Sequence, residues 1–176
     1  DFGSLEVWDI LTPVESTPLA PETKGAVLTD LIGVRFAALR AGDATTEDEL
    51  DGSQFIVYLV DGIGLIRSNG DSDQLIPGIG LIIPPGVPFS LENTGDANLT
   101  MYIVEEPVPD DFTPMTDIVL RFEHNNEIST NLQRVESDQW LLSIFDGLST
   151  LVSFNPLIYE PQSLVPPHVH DDTVEE

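Results

Sequence analysis

From about Ala26 onward, short apolar segments alternate with clusters of turn-forming residues. Ile32–Leu39, Phe55–Val60, Ile63–Ile66, Gly80–Ile83 and Leu99–Val104 are the clearest of these segments. Their short length and richness in β-branched residues favour strands over helices. Turns are expected at Ser68-Asn69-Gly70-Asp71 and Asn93-Thr94-Gly95-Asp96, where small, polar and glycine residues supply the backbone freedom a tight reversal needs. No segment sustains a helical period. Strands at such regular spacing predict an all-β sandwich or barrel. Residues 1–25, with Pro13, Pro18 and Pro21, read as an N-terminal arm. The stretch Glu106-Pro107-Val108-Pro109-Asp110-Asp111 reads as a boundary, because prolines among charges seldom occupy a central strand. The expected division is a first barrel over 26–108, a linker over 109–114, and the opening part of a second unit over 115–176. In that second unit Ile118–Phe122, Trp140–Phe145, Thr150–Phe154 and Leu157–Tyr159 are strand-like. Val34–Gly42 and Phe154–Gln162 occupy equivalent places 120 residues apart, which suggests two repeats with almost no identity left between them.

Composition narrows the function classes. Of 176 residues 41% are apolar, enough for a packed core, while 31 acidic residues face 6 basic ones for a net charge of −25. Such a chain repels phosphates, which argues against nucleic acid and against anionic membranes as partners. The acidity itself reads as a solvated surface; Lys24 is the one lysine, a composition that suits high salt. Without cysteine there are no disulfides, thiolate metal sites or cysteine nucleophiles. No apolar run approaches the roughly eighteen residues of a membrane span, and no signal peptide is visible. A soluble protein is expected, with the compartment open and the cytoplasm first in order. The chain opens on Asp1 and stops at Glu176 inside a strand-like motif, so both ends are expected to be cuts.

Two stretches carry candidate chemistry. The first runs Gly78-Ile-Gly-Leu-Ile-Ile-Pro84-Pro-Gly86-Val-Pro-Phe89-Ser-Leu-Glu-Asn93. It resembles the second motif of the cupin superfamily, G-x5-P-x-G-x2-H-x3-N, with Gly78, Pro84, Gly86 and Asn93 in place and Phe89 where the family carries a histidine ligand. Gly78 allows a tight entry turn, Pro84 and Gly86 shape the bend, and Asn93 suits the turn that follows. Upstream, Phe55-Ile-Val-Tyr-Leu-Val-Asp61-Gly62 is similar to the end of the family's first motif, with Phe55 at the glutamate position. Counting back, Asp48 and Leu50 stand at its two histidine positions. The resemblance implies a first barrel that is degenerate and metal-free, its phenylalanines filling the space of an ion and its waters.

The second stretch is Val165-Pro166-Pro167-His168-Val169-His170-Asp171-Asp172-Thr173-Val174-Glu175-Glu176. It resembles the opening of the first cupin motif, G-x5-H-x-H-x(3,4)-E, with Gln162 in place of the leading glycine. Residues two apart on a strand share a face, so His168 and His170 can converge on one ion. Glu175 adds a carboxylate at family spacing, and Glu176 is the alternative. With only three histidines in the chain, this pairing beside prolines and glutamates favours ligands over surface residues. Imidazoles with a carboxylate suit Fe, Mn, Ni, Zn or Cu. A second motif to supply the fourth ligand does not follow within the chain.

Other candidates reduce to plain readings. His124 is a loop residue. Gly62-Ile-Gly64 has no helix behind it and is no dinucleotide fingerprint. Asn98-Leu99-Thr100 matches a glycosylation sequon that is common by chance. Trp8 and Trp140 read as core or interface aromatics, and no nucleophile elbow occurs.

The resemblance thus implies a bicupin: one complete jelly-roll barrel, or double-stranded β-helix, plus the first strands of another. Two functions are open. One is a metal-dependent enzyme acting on a small organic acid or sugar-like molecule through the second barrel, as an oxygenase, decarboxylase, isomerase or lyase. The other is a non-catalytic cupin for small-molecule binding, storage or oligomerisation. No catalytic residue is assigned. A small-molecule ligand and a homo-oligomer are the expected partners.

Overall fold

The computed structural model describes residues 3–14, 25–123, 128–131, 136–139 and 141–159. These form an all-β jelly roll, the fold class the strand pattern and the resemblance predict. Among the described residues nine strands run up to Pro107: β1 (Glu6–Pro13), β2 (Ala26–Leu28), β3 (Gly33–Leu39), β4 (Ser53–Asp61), β5 (Gly64–Ser68), β6 (Asp71–Leu75), β7 (Ile79–Ile83), β8 (Ser90–Asn93) and β9 (Leu99–Pro107). After it come β10 (Val119–Phe122), β11 (Ile128–Asn131), β12 (Glu136–Gln139), β13 (Leu142–Ser143), β14 (Ser153–Phe154) and β15 (Leu157–Tyr159). A large sheet runs in the order β10-β7-β4-β9-β3-β1-β2 and a small one in the order β6-β5-β8. β11, β12 and β15 pair in a third sheet, and β13 pairs with β14. Among the described residues no helix is long and apolar enough to cross a membrane.

Strand register sorts the core into two layers. Phe55, Val57 and Leu59 on β4, Ile79, Leu81 and Ile83 on β7, and Leu99, Met101 and Ile103 on β9 belong to one buried cluster. Ile66, Leu75, Phe89 and Leu91 from the small-sheet side close it. The intervening residues Ile56, Ile82 and Val104 belong to a second cluster with Val119, Leu141, Leu142 and Leu148. The large sheet is therefore buried on both faces in its middle, and all five residues of β7 are buried. That is why Ile79–Ile83 reads as a continuous apolar run instead of an alternating one.

Several elements differ from the expected boundaries. Glu6–Pro13, inside the stretch read as an arm, pairs antiparallel with β3 and places Trp8 opposite Phe36, with ring centroids 6.0 Å apart. It escaped detection because it is a near-edge strand whose residues are mostly exposed or half-buried. Val119–Phe122, assigned by spacing to the second unit, pairs with β7 and extends the large sheet. β9 continues through Glu105 and Glu106 to Pro107, where the proline pairs with Ser53 at the strand's last position and interrupts no central ladder. Ile144–Asp146 is a 3-10 turn, not strand: the Ser143 hydroxyl caps it and Asp146 bonds back to the Ser143 N–H. β6 is polar and was not expected. It is held by the Asn69–Gly70 reversal, both residues at positive φ (51° and 90°), which closes the Ser68–Asp71 hairpin.

Candidate functional site

The Gly78–Asn93 motif forms the connection from the large sheet to the small one. Gly78 sits at φ 85°, where a Cβ would lie 2.6 Å from the Glu123 carboxylate. Gly86, at φ 71°, donates its N–H to the Leu50 carbonyl at 2.9 Å. Asn93 is 1% exposed, and its amide donates to the Leu39 and Ala97 carbonyls, both at 2.8 Å, while accepting from the Gly95 N–H at 3.0 Å. A buried amide satisfied on both ends locks the turn.

The four positions that the resemblance aligns with metal ligands can be traced one by one. Phe55 (5% exposed) and Phe89 (3%) lie in the same apolar cluster, and Leu50 packs against it half-buried. Asp48 and Phe89 face each other across a two-bond bridge, with Asp48 N–H to Phe89 O at 2.9 Å and Phe89 N–H to Asp48 O at 2.8 Å. The carboxylate of Asp48 accepts from the Glu49 N–H at 2.9 Å. The fold thus brings these positions to one region, but their side chains do not fit a metal. Phenylalanine and leucine offer no lone pair, and one carboxylate is a poor transition-metal site. Among the described residues no group of three His, Cys, Asp or Glu is placed to hold an ion. His168, His170, Glu175 and Glu176, like His124 and Trp140, lie outside the described residues.

Two polar groupings were not anticipated from the sequence. Arg35 donates to Glu105 at 2.5 Å and to Asp9 at 3.0 Å, and Ser53 donates to the other Glu105 oxygen at 2.8 Å. Glu105 lies directly opposite Phe55 across the β4–β9 ladder. Burial favours loss of the Arg35 proton, yet the bonds and charges of Glu105 and Asp9 outweigh it and move its pKa upward. Arg35 is thereby committed to two carboxylates. The available signal was a lone arginine between Val34 and Phe36, at an inward register position in a chain of only six basic residues.

The other grouping is Tyr58, whose hydroxyl donates to Glu123 at 2.9 Å. Burial, followed by the bond to Glu123 and its negative charge, pushes the phenol from 10.0 to about 12. The protonated phenol is the bonded form, so the pair's contribution to stability is complete below pH 10 and disappears as pH rises through about 12. In an alkaline absorbance titration a tyrosinate component is expected to emerge only near pH 12 and to vanish in Tyr58→Phe. Disappearance of a component near pH 10 instead would contradict the assignment.

No family model matches the sequence, and no curated protein matches it. Solved structures do. A protein from Pseudomonas aeruginosa named as glyoxylate-induced superposes with a TM-score of 0.62 at 15% identity, covering 82% of this chain and 51% of that one. Protein Ylba from E. coli gives 0.51 at 13% identity, covering 81% and 65%. A cupin protein from Bacteroides fragilis gives 0.43 at 20% identity, covering 51% and 75%. The chain spans about half the length of the first, 51%. At such identities the likeness is one of fold: an all-β jelly roll.

Proposed function

We propose that this cupin-fold chain belongs to a two-barrel, metal-dependent enzyme. In this reading its first barrel is structural and its ion is held by His168, His170 and Glu175, with Glu176 the alternative to Glu175. The observation that carries the reading is a substitution pattern over one geometry. Asp48, Leu50 and Phe55 lie 120 residues before His168, His170 and Glu175. In the described barrel Leu50 and Phe55 pack on one apolar cluster, and Asp48 is bridged to Phe89 beside them. The same arrangement repeated downstream would bring two imidazoles and a carboxylate together where the first barrel has one carboxylate and two side chains that cannot coordinate.

Neutral imidazoles with one carboxylate suit Fe, Mn, Ni, Zn or Cu, which would supply Lewis acidity toward a small organic acid or sugar-like substrate. The histidines would orient the ion from one strand face, and the glutamate would balance its charge. Fold likeness selects no reaction among oxygenases, decarboxylases, isomerases and lyases.

Elemental analysis of the protein tests this. About one transition ion per chain is expected, lost in the His168→Ala, His170→Ala double variant. Chelation should leave the melting of the first barrel unchanged, because no ligand resides there. Metal-free protein that still binds a small molecule would instead mark a non-catalytic cupin, and a large loss of barrel stability on chelation would contradict the structural role given to the first barrel.

A further inference from the structure

Leu141–Phe154 crosses the outer face of the large sheet. Leu141, Leu142 and Leu148 are buried there, with Leu151 and Phe154 packed alongside, against Ile56, Ile82, Val104 and Val119. Its two short strands pair with each other and, among the described residues, join no other sheet. Among the described residues no backbone-to-backbone hydrogen bond links this segment to the barrel; the Ile144 and Gly147 N–H groups bond within the segment. Side chains make the polar connections. Arg121 pairs with Asp146 at 2.7 Å, and the Ser149 hydroxyl donates to the Pro107 carbonyl at 2.8 Å.

The centre of these connections is Glu106, 0% exposed at the end of β9. One of its oxygens accepts from the Gln54 amide at 2.6 Å and the Ser149 N–H at 2.9 Å. The other accepts from the Thr150 N–H at 3.0 Å, the Thr150 hydroxyl at 2.7 Å and the Leu151 N–H at 3.1 Å. Gln54 also donates to the Gly147 carbonyl at 2.8 Å. These partners are all neutral donors, and four of the five sit on the crossing segment. A buried carboxylate is tolerated when its lone pairs are filled in this way, and the donors in turn are left unsatisfied without it.

We propose that Glu106 is a latch and Leu141–Phe154 a strap that opens as one unit while the barrel stays folded. The physical basis is the difference in attachment. The barrel strands share continuous ladders, whereas the strap adheres by leucine packing, by bonds most of which converge on one carboxylate, and by the separate contacts of Arg121, Pro107 and Gln54. Breaking that convergence frees three consecutive backbone N–H groups together and bares the apolar groove formed by Ile56, Ile82, Val104 and Val119. Such uneven attachment is what gives a segment its own opening equilibrium below global unfolding.

Native-state hydrogen exchange on the whole chain tests the proposal, comparing wild type with Glu106→Gln and Thr150→Val. In Glu106→Gln the Ser149, Thr150 and Leu151 amides are expected to exchange roughly 10- to 100-fold faster, the loss that follows removal of a charged acceptor. The amides of Val57, Leu81 and Ile103 should change by less than about threefold. Thr150→Val removes one donor and should give a smaller, equally selective acceleration. If Glu106→Gln does not fold, Thr150→Val decides. Unchanged strap exchange, or strap and strand amides accelerating together, overturns the latch.

Discussion

Phe89→Ala is expected to destabilise the protein by about 3–5 kcal/mol, as truncation of a buried aromatic does. Phe89 is 3% exposed and lies in the cluster that joins the two sheets of the barrel. Its backbone is pinned to Asp48 by two hydrogen bonds of 2.8 and 2.9 Å, so the main chain cannot move inward to refill the space. The cost therefore combines lost transfer energy with a cavity that relaxes poorly. Urea denaturation followed by circular dichroism would measure it as a lower midpoint at unchanged slope. Phe89→Leu, which keeps most of the volume, should cost much less. A loss below about 1 kcal/mol for the alanine variant would place Phe89 outside the core and remove the argument that apolar filler has taken over this barrel.

Asn93→Ala should cost about 2–4 kcal/mol through a different mechanism. Its side chain is 1% exposed and serves three backbone groups: the Leu39 and Ala97 carbonyls and the Gly95 N–H. Alanine removes the partner of the Leu39 carbonyl, whose residue is 0% exposed, and one partner each of the Ala97 carbonyl and the Gly95 N–H; burial at Leu39 keeps water from replacing the lost donor there. Thermal unfolding would show the loss. Exchange of the Gly95 amide should rise only modestly beyond the global effect, because its N–H also donates to the Ile63 carbonyl at 3.0 Å. A near-neutral substitution would mean that water reaches the turn and that Asn93 is dispensable there.

How much was legible in the sequence depended on whether a feature repeated locally. Gly33–Leu39, Ser53–Asp61, Ile79–Ile83 and Leu99–Pro107 each carry enough β-branched and apolar residues to declare themselves within one segment. Asn69-Gly70 declared a turn, but Asp71–Leu75, the polar strand that it starts, carried no strand signal of its own. The Gly78, Pro84, Gly86 and Asn93 spacing marked a turn whose geometry follows from those residues alone. Glu106 shows the opposite case. Beside Pro107 and near Asp110 and Asp111 it looks like linker charge. Its burial depends on Gln54 and on residues 149–151, which lie far away in sequence. Arg35 is similar, since its partners Asp9 and Glu105 lie 26 and 70 residues away.

By itself the amino-acid sequence determined the all-β class and the main strands. Those follow from side-chain shape, two-residue periodicity and turn chemistry, which act over a few neighbours. Only the tertiary structure decided that Glu6–Pro13 and Val119–Phe122 extend the large sheet, and that Leu141–Phe154 covers its outer face. Only it turned Glu106 from an apparent linker charge into a buried acceptor. Edge pairing and burial on a second face are set by which distant segments meet, and no local pattern encodes that meeting.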